Sequence, residues 1–77
     1  MPWSKEIEHL TLQVCREKSF SGGNPDGVIF KHFDGDFGVV SYQNALKDRW
    51  FLTIHKSGDQ IDFSSVDELV LSGWVLD

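Results

Sequence analysis

The stretch Trp50–Leu71, WFLTIHKSGDQIDFSSVDELVL, decides how the chain is read. Trp50 to Ile54 is an apolar run rich in aromatic and β-branched residues, which favour a pleated strand. Lys56-Ser57-Gly58-Asp59 breaks that run with turn formers, and Ile61 and Phe63 then alternate with Gln60, Asp62 and Ser64. Ser65-Val66-Asp67-Glu68 follows. Here a serine precedes a glutamate by three places just ahead of apolar residues, the pattern of a capping box. A hairpin leading into a capped helix is therefore expected. Trp50, Leu52 and Ile54 on one face and Phe51 and Thr53 on the other imply a strand at the sheet's centre or one buried on two sides.

Upstream, Val28–Phe33 and Phe37–Tyr42 read as another antiparallel pair, joined by Asp34-Gly35-Asp36, residues that tolerate the positive φ of tight hairpin turns. This hairpin is expected to place Phe33 beside Phe37. Gln43 to Asp48 is a longer connection with room for one helical turn. Residues 4–18 read as an amphipathic helix with Ser4 as N-cap and an inward stripe of Trp3, Ile7, Leu10 and Val14. Leu12 falls opposite that stripe. Ser21 to Gly27 is a run of turn formers that stops the helix. After Ser65, Val66, Leu69 and Val70 form a second inward stripe, and Gly73 stands where a left-handed cap belongs. Trp74-Val75-Leu76 is then expected to pair with a sheet edge or pack beneath the helix. The fold class is α+β: an N-terminal helix, a four-stranded mainly antiparallel sheet, and a short C-terminal helix and tail, with the helices on one sheet face.

Seventy-seven residues make one domain spanning 1–77. So short a chain buries only about 60–65% of the surface its unfolded state exposes, so its core must be dense. Ten aromatic residues and 40% hydrophobic content supply it. Cys15 is the single cysteine, which precludes an intrachain disulfide and points to a reducing, cytoplasmic setting. The opening residues carry no apolar run followed by a cleavage site, and no run approaches the ~18 apolar residues of a membrane span.

The net charge is −5, and it is unevenly placed. Residues 1–20 and 21–58 are each balanced, whereas residues 59–77 hold Asp59, Asp62, Asp67, Glu68 and Asp77 with no basic residue. Without a basic footprint to neutralise phosphates, direct nucleic-acid binding is not expected.

Several local patterns fail as sites. His9, His32 and His55 share no ligand spacing and have no second cysteine, so no metal site is expected. Asp36-Phe37-Gly38 matches a kinase triplet in letters but lacks every other kinase element. Asp34-Gly35-Asp36 begins like a calcium loop but lacks the later ligands. The glycines at 22 and 23 have neither the preceding strand nor the lysine of a phosphate loop. Cys15 sits late on a helix, far from the N-terminal dipole that would activate a thiol. No cofactor and no catalytic group is expected, and the chain reads as a non-enzyme.

What remains is the acidic last third beside exposable aromatics. It points to a small protein-binding module, an adaptor or stoichiometric inhibitor of a partner with a basic surface, such as a protein that handles nucleic acid. The residues expected to carry binding are Asp59, Asp62, Asp67, Glu68, Phe51 and Tyr42. The alternative is a self-associating subunit, a homodimer or part of a larger complex, using Leu12 and an open sheet face. A small metal- or ligand-binding protein ranks third. No membrane partner is expected.

Overall fold

A computed structural model describes residues 3–20 and 27–77. In chain order the elements are α1 (Lys5–Glu17), β1 (Val28–His32), β2 (Phe37–Val40), α2 (Tyr42–Leu46), β3 (Trp50–Ile54), β4 (Gln60–Phe63), α3 (Val66–Leu71) and β5 (Trp74–Leu76). The class is α+β, with an N-terminal helix, an antiparallel sheet and a short C-terminal helix. The expected turn at Ser21–Gly27 falls, except for Gly27, outside the described residues.

Among the described residues the sheet has five strands rather than four, in the order β4-β3-β2-β1-β5, and every pairing is antiparallel. The added strand is the Trp74–Leu76 tail, which pairs with β1 and places Trp74 opposite His32. Gly73 makes that return possible. It follows α3 with φ +100, and a Cβ there would sit 2.4 Å from the Phe33 ring and 2.7 Å from His32 Nε2. A side chain would be strained twice over. The Trp50–Ile54 strand is not the centre of the sheet. It lies one in from the edge, and β2 is central.

Strand alternation sends Val28 and Phe30, Val40, Trp50 and Leu52, and Phe63 to one face. There they meet Cys15 of α1, Ala45 of α2, and Val66, Leu69 and Val70 of α3 in one core cluster. Phe30 and Trp50 cross edge to face at 6.5 Å within it. Val66, Leu69 and Val70 are buried as their spacing predicts. Ser65 caps α3 by accepting the Glu68 amide at 3.2 Å, but Glu68 does not reach back to Ser65. Its carboxylate takes the amide of Ser64 at 3.2 Å, and the Ser64 hydroxyl with it.

Helix α1 begins at the expected cap, with Ser4 Oγ accepting the Ile7 amide at 3.3 Å. Its inward face is rotated from the expected stripe. Thr11 and Cys15 are fully buried, Leu12 packs against the core and Leu10 is half exposed. The threonine is drawn inward because its hydroxyl has two uses there. It donates to Ile7 O at 2.8 Å and accepts the Leu76 amide at 3.1 Å. Leu12 is therefore partly buried against the core rather than standing opposite the inward stripe.

The β1–β2 hairpin closes with the His32 amide on Asp36 O at 2.8 Å and the Gly35 amide on His32 O at 3.0 Å. That leaves Phe33 in the turn rather than opposite Phe37, which pairs with Lys31. Phe33 stacks on His32 and Phe37 stacks on His55, each at 4.2 Å, so the expected Phe33–Phe37 pair does not form. Strand β2 ends at Val40. Ser41 then accepts the Asn44 amide and starts α2, which turns Tyr42 from a strand residue into a helical one.

Candidate protein-interaction surface

With α1 and α3 packed over the core, no helix among the described residues lies across the other sheet face. It carries the alternate residues: Ile29 and Lys31, Phe37 and Val39, Phe51 and Thr53, and Gln60 and Asp62. Phe37 is 41% exposed and Phe51 36%. At the β5 end, Trp3 comes onto this face. Its Nε1 donates to Gly73 O at 2.7 Å, and Lys31 Nζ lies 5.3 Å from its ring centroid. Val75 shares this face and is fully buried at the Trp3 end, outside the main core cluster. An open groove of about 630 Å³ runs from Trp3 past Ile29 and Lys31 to Phe33 and Phe37.

The six residues expected to bind a partner separate into three places. Phe51 and Asp62 are cross-strand partners on the open face of the β3–β4 hairpin, and Asp59 is exposed at the end of that hairpin's turn, across from Ile54. Asp67 and Glu68 belong to the first turn of α3, on the helical side. Asp67 is 2.5 Å from Arg16 Nη2 of α1, and Glu68 is committed to Ser64. Tyr42 sits on α2, half-buried against the core, with its ring 6.5 Å from that of Phe20. The structure therefore pairs Phe51 with Asp62, leaves Asp59 at the turn of the same hairpin, and sets the other three apart. Phe37, Val39 and Ile29 belong to the open face, which the sequence reading does not assign to them. The signal is present in the alternation of Phe37 and Val39, but Gly38 between them gives no hydropathy contrast.

The titratable groups elsewhere have structural roles. His32 lies between Phe33 and Trp74, with Nε2 donating to Ser72 O at 2.8 Å and Nδ1 accepting the Asp34 amide at 3.3 Å. Asp34 is held below the usual carboxylate range, first by the Asp36 amide that donates to it and then, beyond the opposing cost of burial, by the neighbouring His32. Burial pushes the Cys15 thiol up to about 12, against a smaller opposing pull from Lys18, so a thiolate is scarce near neutral pH. Among the described residues no group of three or more His, Cys, Asp or Glu side chains could hold a metal ion. Nor is any helix among them long and apolar enough to cross a membrane.

No protein-family model matches the sequence, and neither the curated proteins nor the solved structures include a match to it.

Proposed function

We propose that this is a small acidic binding module of the cytoplasm, an adaptor or stoichiometric inhibitor rather than an enzyme. Its open sheet face receives a partner with a basic surface. The observation that carries this reading is the pairing of exposed Phe51 with Asp62 across β3 and β4, with Asp59 at the adjoining turn. No cation lies within ion-pair distance of either carboxylate among the described residues. Apolar rings beside free carboxylates suit a partner whose lysines or arginines lay their stems along an aromatic surface and place their charges on the acids.

The geometry also selects the test. Asp67 and Glu68 are poor targets for charge reversal, because one bridges to Arg16 and the other holds the Ser64 amide and hydroxyl ahead of α3. The double variant Asp59→Lys/Asp62→Lys leaves both contacts alone. Wild-type and variant protein, immobilised side by side, are used to capture proteins from the native host in low salt. The proposal expects basic proteins retained by the wild type, lost from the variant and released by added salt. An identical retained set on both columns would overturn it.

The alternative of a self-associating subunit would rest mainly on the open face, since Leu12 is partly packed against the core. Sedimentation of the free protein separates the two readings, since a dimer that persists in high salt would favour self-association.

A further inference from the structure

We infer that the partner binds by strand addition: an extended basic segment lies along the free edge of β4 as a sixth strand of the sheet. This rests on the proposed function and specifies how it is carried out.

The parity of the ladder leaves this edge open. In antiparallel sheets successive residues point their main-chain groups alternately to one neighbouring strand and the other. The Ile54 amide donates to Asp59 O and the His55 amide to Phe37 O, both at 2.8 Å. Even-numbered residues of β3 therefore bond β4, and odd-numbered ones bond β2. Through the β3–β4 register, Ile61 and Phe63 use their main-chain groups on β3, while those of Gln60 and Asp62 point away from the sheet. Among the described residues neither has a hydrogen-bond partner on that side, and both are exposed. The next outward amide, of Ser64, is already taken by Glu68. The vacant edge is thus short, covering Gln60 to Asp62 with two amides and two carbonyls aligned for another strand.

The side chains along that edge specify the segment. Asp62 and Gln60 face the open side, and Ile61 faces the helical side at 36% exposure. A sixth strand would place alternate residues opposite them. A basic residue opposite Asp62 would meet its carboxylate, with Phe51 beside its stem, and one opposite Gln60 would lie towards the turn that ends in Asp59. An apolar residue opposite Ile61 would cover it. The segment therefore has the form basic–apolar–basic in an extended conformation. A second copy of this chain fits the edge less well, because its own β4 would bring Asp59 and Asp62 against an acidic surface.

The test uses a short peptide of alternating lysine and valine and a twin of equal charge whose lysine amides are N-methylated. Amide-resolved NMR follows hydrogen exchange on the full chain. The expected result is exchange slowed about tenfold or more at Gln60 and Asp62 by the parent peptide, with the methylated twin bound about tenfold more weakly. The Asp62→Pro variant, which removes an amide the fold does not use, should lose the same difference between the peptides. Equal binding of both peptides, with no protection at Gln60 and Asp62, would overturn strand addition and leave the acidic-surface reading standing. Binding of neither peptide would overturn strand addition. The column experiment would then decide the acidic-surface reading alone. Protection of the same two amides in concentrated free protein would reassign the edge to a second copy of the chain.

Discussion

The two edges of the sheet are built to opposite ends. At β5 the outward Leu76 amide is bonded by Thr11 Oγ1, and the Gly73 carbonyl just before the strand accepts Trp3 Nε1. Helix α1 supplies the threonine, and the segment preceding it supplies the tryptophan. At β4 the outward groups of Gln60 and Asp62 have no such partner among the described residues, and the strand is short and carries a carboxylate. Both are accepted ways of handling an exposed edge, one by cover and one by charge and brevity. Cover by α1 takes the Leu76 amide and buries Trp74 and Val75, which leaves little of β5 for a further strand. Charge and brevity exclude only unsuitable ones, so β4 retains a selectivity that β5 has given up.

The sharpest way to break this contrast is to ask whether α1 remains seated over β5. Cys15 reports on it, since the thiol is fully buried and raised from 9.0 to about 12. At pH 8 a thiol raised that far holds about a thousandfold less thiolate, so alkylation of the native protein should run about a thousandfold slower than after denaturation. Rapid labelling of the folded protein would mean that the cover opens freely. The raised thiol also links to stability. Above pH 9 the unfolded chain releases the Cys15 proton while the native state keeps it, so the unfolded state binds fewer protons. Stability should therefore be unaffected by this group below pH 9 and fall as pH rises from 9 towards 12. A Cys15→Ala variant that shows the same alkaline loss in denaturant titrations would remove the attribution.

A smaller effect is expected from Thr11→Val, which keeps the shape and deletes the hydroxyl. The Leu76 amide then loses its acceptor in a partly buried position, at a cost of about 1–2 kcal/mol. Exchange at Leu76 should quicken to approach that of Gln60 and Asp62, making the two edges alike. Denaturant midpoints check the first expectation and amide exchange the second. If exchange at Leu76 does not change, the hydroxyl is not what seals β5.

Thr11 also shows where the sequence can be read and where it cannot. The α3 cap, the stripe of Val66, Leu69 and Val70 and the β3–β4 hairpin rest on neighbours a few residues apart, and each has a local physical signature. Thr11 turns inward for an amide 65 positions away, and no helical periodicity encodes that demand. The same distance leaves Trp74–Leu76 open between a sheet edge and a place beneath the helix until β5 is seen paired with β1. A three-residue strand has too little alternation to declare itself, and its partner lies across the chain in β1. Tyr42 suits a strand by residue type, whereas Ser41 capping the next turn settles the local structure. For the site, Phe51 and Asp62 are legible because adjacent hairpin strands fix their relation. The binding roles expected of Asp67 and Glu68 come from counting charge along the chain, which misses a cation brought in from α1.

That cation provides the smallest test. Arg16 of α1 approaches Asp67 of α3, so one contact spans the helix that covers β5 and the helix that follows β4. Both side chains are more than half exposed, and such pairs typically contribute about 0.2–1 kcal/mol. A double-mutant cycle of Arg16→Ala and Asp67→Ala should return a coupling within that range, weakened by salt. Its value lies in what happens to the acidic surface. If the binding surface is confined to the open face and the β4 edge, freeing Asp67 by Arg16→Ala should leave the lysine–valine peptide's affinity within about twofold, since the carboxylate lies on the helical side. A larger gain would extend the acidic surface around the end of β4 onto α3. The two edges would then differ in charge over the whole molecule rather than along one strand.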